Sequence, residues 1–338
     1  MTGLWRRGRY GATRYLWVDV ASMGYMAGAG ALQLVLGFGT PGWLTVVLLH
    51  LGYVVLGLEV VRASQLRPDK RLLLELRTWY PAFVILYGFF SATRLQSLMS
   101  DDQFWATNLL ADIDHALFGV HPTVWLQQFH RPWLDELFSF LNLSYYLIPF
   151  LYAVPLVIAG RRETVWAGTS IALFTYVVNY TLFLFLPALG PRMIPAIEAL
   201  RPSELHGGPF VWLVQLVQGE HGTVRGAAFP SVHVSAAIAW AMVAWHYERR
   251  IALAVWPLAI GTTLSTVYLG LHHAIDPLAG LVLGVICYGL GRRILRARGE
   301  DPSASPIEDP SASPIEHTSA DPVASASSVA AASARPAT

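Results

Sequence analysis

Apolar stretches of about 20 residues recur along this chain, and their length constrains the fold more than any other feature. The hydrocarbon core of a bilayer is about 30 Å thick, which an α-helix crosses in about 20 residues. Of the 338 residues, 54% are hydrophobic and only 13% are charged, whereas soluble domains carry about 25% charged residues. Open strands would leave backbone polar groups unpaired in lipid. The sequence therefore predicts an all-α, polytopic transmembrane helical bundle.

Eight candidate spans can be placed, of which about six to eight are expected to cross the membrane. The first is the weakest, because it contains Asp19 and several glycines, and an interfacial or re-entrant segment is the alternative. Between the third and fourth spans, residues 101–136 mix apolar and polar residues with tryptophans, which predicts short helices on the membrane surface. The eight spans are residues 16–38, 42–61, 78–97, 137–159, 165–187, 230–247, 251–270 and 274–295.

Lysine and arginine residues set the expected orientation. If the spans alternate, 17 of the 23 basic residues fall on one side of the membrane. The positive-inside rule makes that side cytoplasmic and places both termini there. Eight of the 11 histidines fall on the opposite side. The polar chemistry is therefore expected at the outer face.

Residues 230–233, Pro-Ser-Val-His, stand at the start of the sixth span. Ser231 is expected to be the N-cap of the helix that follows, and the free amides of such a helix end bind anions. His233, two residues into that turn, could donate a proton to an oxyanion held there. An equally good alternative is that Ser231 only caps the helix and His233 is an ordinary interfacial histidine.

His272 and Asp276 are four residues apart, at the outer junction of the last two spans. Asp276, followed by Pro277, is expected to open the final helix as its N-cap. Its carboxylate could fix the tautomer of the His272 ring and leave the other ring nitrogen as a nucleophile. Capping alone, with His272 and His273 as interfacial polar residues, is the alternative.

Arg192 stands at the outer end of the fifth span, directly after Gly190 and Pro191. Its guanidinium could bind two phosphate oxygens at once, although contact with lipid head groups is the more common role at such a position. Three consecutive crossings thus bring an arginine, a Ser-His pair and a His-Asp pair to one face. Together they indicate phosphoryl transfer through a phosphohistidine.

These motifs resemble the signature of the type 2 phosphatidic acid phosphatase superfamily. That signature has three parts: a Lys, six residues, then Arg-Pro; a Pro-Ser-Gly-His; and Ser-Arg, five residues, His, three residues, Asp. Residues 230–233 are similar to the second part, with valine in place of glycine. Residues 265–276 are similar to the third part at full spacing, with Thr266 at the arginine position. Arg192 matches the first part loosely, since Phe185 and Met193 replace its lysine and proline.

The departures from the signature resemble the branch that includes inositol phosphorylceramide synthases and their bacterial relatives. The segment that begins at Asp114, upstream of Leu134 and Asp135, is similar to that branch as well. Two basic residues of the signature are absent, so other groups are expected to neutralise the phosphate. The sequence leaves four candidates open, namely Arg225, Arg201, Arg94 and His273.

The resemblance implies an integral-membrane lipid phosphatase or phosphotransferase that uses no metal and no cofactor. His272 would attack phosphorus, Asp276 would orient it, and His233 would serve as acid and then as base. Arg192 and the amides around Ser231 would hold the phosphate oxygens. The implied substrate is a phospholipid, a sphingolipid or a prenyl phosphate of the bilayer, with water or an alcohol as acceptor, and no nucleic acid is an expected partner. The implied location is a bacterial inner membrane with the site facing the periplasm or exterior.

Three regions are expected along the chain: an N-terminal transmembrane region over 1–104, a phosphatase-like membrane core over 105–298, and a disordered tail over 299–338. In the tail, residues 300–307 are repeated at once as 308–315, and such polar, low-complexity sequence cannot bury enough apolar surface to fold. The single cysteine, Cys287, excludes a disulfide framework within one chain.

Two other functions remain open at this stage. A metal-dependent membrane hydrolase could use the outer histidines, although no His-Glu-x-x-His spacing occurs. A non-enzymatic transporter or binding protein would need ionisable residues at mid-membrane depth. Only His50, Glu59 and Asn179 hint at that arrangement.

Overall fold

The computed structural model describes residues 14–101, 103–201, 205–218 and 225–304, and within these ranges the regular structure is helical. A single isolated parallel bridge, between Ala188 and Ala227, is the one strand-like contact found there. The all-α expectation is confirmed. The helices are α1 (Trp17–Leu36), α2 (Trp43–Leu66), α3 (Arg71–Trp79), α4 (Ala82–Ser100), α5 (Ala106–Phe118), α6 (Pro122–Gln127), α7 (Pro132–Ser144), α8 (Ile148–Ile158), α9 (Arg162–Phe185), α10 (Pro195–Glu198), α11 (Pro209–Gln218), α12 (Val232–Tyr247), α13 (Arg249–Tyr268) and α14 (Ile275–Ala297).

Five segments of the described ranges are long and apolar enough to cross a membrane: α2, the α3–α4 pair (Arg71–Ser100), α9, α13 and α14. The bent pair α7 and α8 makes a sixth if it counts as one span. Two predicted spans, the first and the sixth, do not meet this test. The first span corresponds to α1, which carries buried Asp19 and Gln33 near its ends. The sixth corresponds to α12, whose 16 residues extend only about 24 Å.

The buried charge of α1 is paired within the bundle. Asp19 accepts a hydrogen bond from Arg77 Nη2 at 2.5 Å and one from the Tyr80 hydroxyl at 3.0 Å. An unpaired carboxylate at this depth would be costly, whereas a paired and hydrogen-bonded one is tolerated. The neighbouring helices therefore make α1 part of the bundle despite its weak apolar pattern.

The predicted fourth span, 137–159, is broken in the structure. Helix α7 ends at Ser144, α8 begins at Ile148, and the two axes differ by 50°. Pro149 lies in the first turn of α8, where a proline fits without loss of a hydrogen bond. The bend turns Tyr145 and Tyr146 toward α12, which matters for the site described below.

Helix α12 lies at the centre of the bundle, in contact with α8, α9, α13 and α14. Two glycines of α14 allow the closest of these approaches. A Cβ atom on Gly280 would lie 2.7 Å from the carbonyl oxygen of Ser231, and one on Gly284 would lie 2.5 Å from that of Ser235. Small residues of this kind let membrane helices pack backbone against backbone, so the N-terminal ends of α12 and α14 lie side by side.

Part of the predicted tail packs against the opposite end of the bundle. Glu300 accepts hydrogen bonds from Trp17 N and Arg298 Nε, both at 2.8 Å. Asp301 is fully buried and accepts from the Tyr247 hydroxyl at 3.2 Å. Residues 299–304 therefore belong to the packed structure, and the remainder of the predicted tail, 305–338, lies outside the described residues.

Candidate active site

Backbone hydrogen bonds bring the segments that carry the three motifs together. Ala188 N donates to Gly226 O at 3.3 Å, and Ala228 N donates back to Ala188 O at 3.2 Å. These bonds join the segment after α9 to the segment before α12. Arg192 N donates to Gly270 O at 3.1 Å, which joins the first of these segments to the α13–α14 loop. The convergence expected from the sequence is therefore present in the fold.

Ser231 caps α12, as the sequence predicted. Its hydroxyl oxygen accepts a hydrogen bond from Val234 N at 3.4 Å. Its own amide donates to the carbonyl oxygen of Asp276 at 3.2 Å, which fixes the start of α12 against the start of α14. The side chain of Ser231 is fully buried, so its position is set by the packing and not by solvent.

The His272 ring is held at both nitrogens. Nδ1 lies 2.8 Å from the carbonyl oxygen of Ala228 and 3.3 Å from Asp276 Oδ2, and Nε2 lies 3.2 Å from the Ser231 hydroxyl. A carbonyl oxygen can only accept, so Nδ1 carries the proton and Nε2 accepts from Ser231. The expected tautomer is therefore present, although the Ala228 carbonyl is a closer partner than the Asp276 carboxylate that the sequence predicted.

The prediction that Asp276 is the N-cap of α14 is wrong. Helix α14 begins at Ile275, so Asp276 lies inside its first turn and accepts from His273 N at 2.9 Å. The cap comes from α5 instead, where Asp114 accepts from Ala274 N at 2.7 Å and from Ile275 N at 2.9 Å. The Asp114 carboxylate, from a helix distant in sequence, therefore caps α14 in place of the Asp276 side chain. Burial raises the pKa of Asp114, and the two amides oppose that shift.

His233 and Arg192 reach the same cavity as His272. The cavity has a volume of about 410 Å³, and all three side chains line it. The centre of the His233 ring lies 5.8 Å from that of His272 and 4.6 Å from that of Tyr145. His233 Nδ1 is buried and has no hydrogen-bond partner among the described residues. Most of the remaining wall is apolar or aromatic, and the residues that α4 and the α7–α8 bend contribute to it belong to no sequence motif.

The four proposed substitutes for the absent basic residues do not line this cavity. Arg225 stacks over Phe104, with its guanidinium carbon 4.9 Å from the ring centre. His273 is buried, with Nδ1 3.8 Å from Asp114 Oδ2. Arg94 donates to the Thr40 hydroxyl and the Pro41 carbonyl, and Arg201 pairs with Glu198. Within the described ranges, Arg192 is thus the arginine that lines the cavity.

Thr266 and Phe185 occupy the two signature positions where the family has a basic residue. Thr266 is buried, and its carbonyl oxygen accepts from Leu271 N at 3.0 Å and from His272 N at 3.2 Å. It therefore helps to shape the loop that carries His272. Phe185 is 61% exposed at the end of α9 and does not line the cavity.

The segment 198–228, which leads from α10 to α12, is described only in part. Its helix α11 packs against α7, and Val217 of α11 lines the cavity. Residues 202–204 and 219–224, including His221, lie outside the described ranges. Within those ranges, no group of three or more His, Cys, Asp and Glu side chains is arranged to hold a metal ion.

Both histidines of the α13–α14 loop are neutral at pH 7. Burial lowers the pKa of His272 to about 4, although the hydrogen bond to the Ala228 carbonyl opposes the shift. Burial and the adjacent His272 lower the pKa of His273 to about 4 as well. A neutral His272 keeps the lone pair on Nε2 that a nucleophile requires.

The lowered pKa of His272 predicts that the fold weakens in acid. Its ordinary pKa is 6.5 and its folded-state pKa is about 4, so the unfolded chain binds more protons between these two pH values. The free energy of unfolding should therefore fall as the pH is lowered from about 6.5 to about 4. Thermal unfolding of the detergent-solubilised protein at pH 7.5 and 4.5 measures this difference. His272→Asn should show a smaller difference in stability between the two pH values. An equal difference in the two proteins would contradict a lowered pKa of His272 in the folded state.

A family model described as the PAP2 superfamily matches residues 108–290, slightly more than half of the chain. The match contains all three motifs and excludes α1 to α4. No curated protein and no solved structure matched the chain in the corresponding comparisons.

Proposed function

The chain belongs to the PAP2 superfamily, and we propose that it is an integral-membrane lipid phosphotransferase or phosphatase that works through a phosphohistidine on His272. The observation that carries this proposal is the setting of the His272 ring. Its Nδ1 is held by Ala228 and Asp276, while its unprotonated Nε2 lies beside Ser231 at the wall of the cavity. A ring whose Nδ1–H is fixed and whose Nε2 keeps an unprotonated lone pair, here facing the Ser231 hydroxyl, is suited to nucleophilic attack.

In the first step, His272 Nε2 attacks the phosphorus atom of the donor lipid, and the bond from phosphorus to the leaving oxygen breaks. His233 donates the proton that the leaving oxygen takes up. The imidazole becomes a cation, which the neighbouring Asp276 carboxylate stabilises while Nδ1–H stays bonded to the Ala228 carbonyl. Arg192 and the free amides at the start of α12 hold the non-bridging oxygens, over which charge spreads in a loose transition state.

In the second step, the acceptor hydroxyl attacks phosphorus and the bond between nitrogen and phosphorus breaks. The acceptor proton passes to His233, which is then ready to act as the acid again. His272 returns to its neutral form. Water as the acceptor makes the enzyme a phosphatase, whereas an alcohol makes it a head-group transferase.

We favour head-group transfer from a phosphodiester lipid, the chemistry of the inositol phosphorylceramide synthase-like branch that the departures from the family signature resemble. A phosphomonoester carries nearly two negative charges at pH 7, since its second pKa is about 6, and a phosphodiester carries one. The cavity wall supplies the Arg192 guanidinium and, in the acid form that the first step uses, a protonated His233, while His272 is neutral. The α12 N-terminus adds about half of a positive charge. These charges suit either ester, so the choice of donor rests on the motifs.

Product analysis tests the function. The purified protein would receive phosphatidic acid, a prenyl phosphate, phosphatidylinositol or phosphatidylglycerol, each with and without inositol, glycerol or ceramide, and His272→Asn would serve as the blank. A new head-grouped lipid that requires both an acceptor and His272 would establish the transferase. Phosphate released without an acceptor would establish the phosphatase instead. Turnover that is equal in the two proteins would contradict the proposed mechanism.

We further propose that the site faces the outside of a bacterial inner membrane, on the strength of the clustered basic residues at the opposite face. The single native thiol is buried and can be replaced by Cys287→Ala. In that background, a membrane-impermeant maleimide applied to intact cells should label Gln103→Cys, at an exposed position beside α5. It should label Asp69→Cys, in the exposed α2–α3 turn, only after permeabilisation. The reverse pattern would invert the proposed topology.

A further inference from the structure

One wall of the cavity comes from outside the family-matched core. Helix α4 contributes residues 82, 85, 86, 89 and 90 to the lining, and the match begins only at residue 108. The last four lie three, four, seven and eight positions after residue 82, which places all five on one face of the helix. The N-terminal region of the chain therefore helps to form the cavity that contains His272.

The facing wall comes from the bend between α7 and α8. Tyr146, Pro149 and Phe150 line the cavity there, so the break in the fourth predicted span opens room beside α4. Leu86 and Phe90 line the cavity as well, yet they are 61% and 62% exposed. Residues that both line a cavity and remain exposed on a membrane helix mark a lateral opening toward lipid.

The volume of the cavity accommodates a phosphate group and part of a hydrocarbon chain. A water-sized group needs about 10–15 Å³ of such cavity volume, so the cavity of about 410 Å³ holds about 30 such groups. A phosphate group at His272 and Arg192 occupies several of these places. The remaining space suits a hydrocarbon chain of about ten carbons or more.

We propose that the face of α4 that includes Leu86, together with the α7–α8 bend, forms a subsite for a hydrocarbon chain of the lipid donor. The chain enters sideways from the bilayer, and its phosphate end lies at His272. The cavity is continuous from that histidine to α4, so one molecule contacts both ends. This inference depends on the proposed function only for the placement of the phosphate end at His272. It gives the N-terminal transmembrane region the role of selecting the lipid.

Photolabelling tests the subsite without any need for turnover. The probe is methyl hexadecyl phosphate with a diazirine at carbon 8 of its chain, and labelled peptides are mapped by mass spectrometry in both the wild-type protein and His272→Asn. Label should concentrate on residues 82–90 and 145–150 in both proteins. Unlabelled methyl hexadecyl phosphate should compete, and methyl butyl phosphate should compete far less, since each buried methylene raises affinity about fourfold.

A matched pair of variants separates the subsite from the general lipid surface. Leu86→Trp fills the cavity mouth and should lower labelling of the α7–α8 bend by about tenfold, on the basis of the methylene contacts it displaces. Leu56→Trp changes a residue of α2 that is 58% exposed and does not line the cavity, so labelling should be unchanged. Label spread over α2, label that short chains displace equally, or absence of specific label would overturn the subsite. Specific α4 labelling in a protein without His272-dependent turnover would refute the phosphohistidine proposal alone.

Discussion

Replacing His272 with asparagine is expected to lower turnover by at least about 10⁴-fold, the scale of losing a nucleophile that works as part of a unit. The asparagine amide can donate to the Ala228 carbonyl, as Nδ1–H does at 2.8 Å, but it has no atom where Nε2 stands. The fold should therefore survive while the attacking atom is lost. Turnover of the lipid that proves to be the substrate measures the effect, and thermal unfolding at pH 7.5 checks that the variant is folded.

The covalent intermediate gives a second and more direct measurement. Acid-labile, base-stable phosphorus should appear on the peptide that contains residue 272 after rapid mixing with donor and no acceptor, and it should be absent from His272→Asn. His115→Asn is the matched control, because His115 is exposed on α5 and does not line the cavity. Phosphorus on a different residue, or full turnover in His272→Asn, would rule out His272 as the nucleophile.

The transmembrane class and the meeting of the three motifs could be predicted because both depend on patterns that persist along the chain. Apolar length alone identifies most membrane helices. The Ser231 cap is a local feature, since its hydroxyl bonds to an amide three residues away. The approach of His272 to Ser231 follows from consecutive helices whose ends share one face of the membrane.

The features that the sequence did not reveal are set by contacts between distant parts of the chain. Asp114 caps α14 from 160 residues away, and no local rule distinguishes that arrangement from capping by Asp276. The bend after Ser144 falls inside an apolar stretch that reads as one continuous span. The cavity-lining face of α4 has the same apolar composition as a lipid-facing surface, so only the packed structure separates the two.

Replacing Arg192 with alanine is expected to lower turnover by about 10² to 10³-fold, the usual effect of removing one charge-stabilising group from a transition state. The backbone fixes where this arginine stands. Arg192 N donates to Gly270 O at 3.1 Å, and a Cβ atom on Gly270 would lie 2.7 Å from Arg192 Cγ. The loop that carries His272 therefore holds the arginine stem next to the nucleophile. Arg192→Lys keeps the charge but loses the planar fork, so it should recover only part of the rate.

Arg225→Ala is the decisive comparison, because Arg225 was one of the four candidates to replace the absent basic residues and has the same charge as Arg192. Its guanidinium stacks on Phe104 instead of lining the cavity, so its loss should change turnover by less than about threefold, the scale of a surface charge effect. The two variants also separate binding from catalysis. If Arg192 acts mainly on the charge that develops at phosphorus, Arg192→Ala should lower kcat more than it raises KM. A loss in Arg225→Ala that equals the loss in Arg192→Ala would place the phosphate outside this cavity, because of the two arginines only Arg192 lines the cavity with His272.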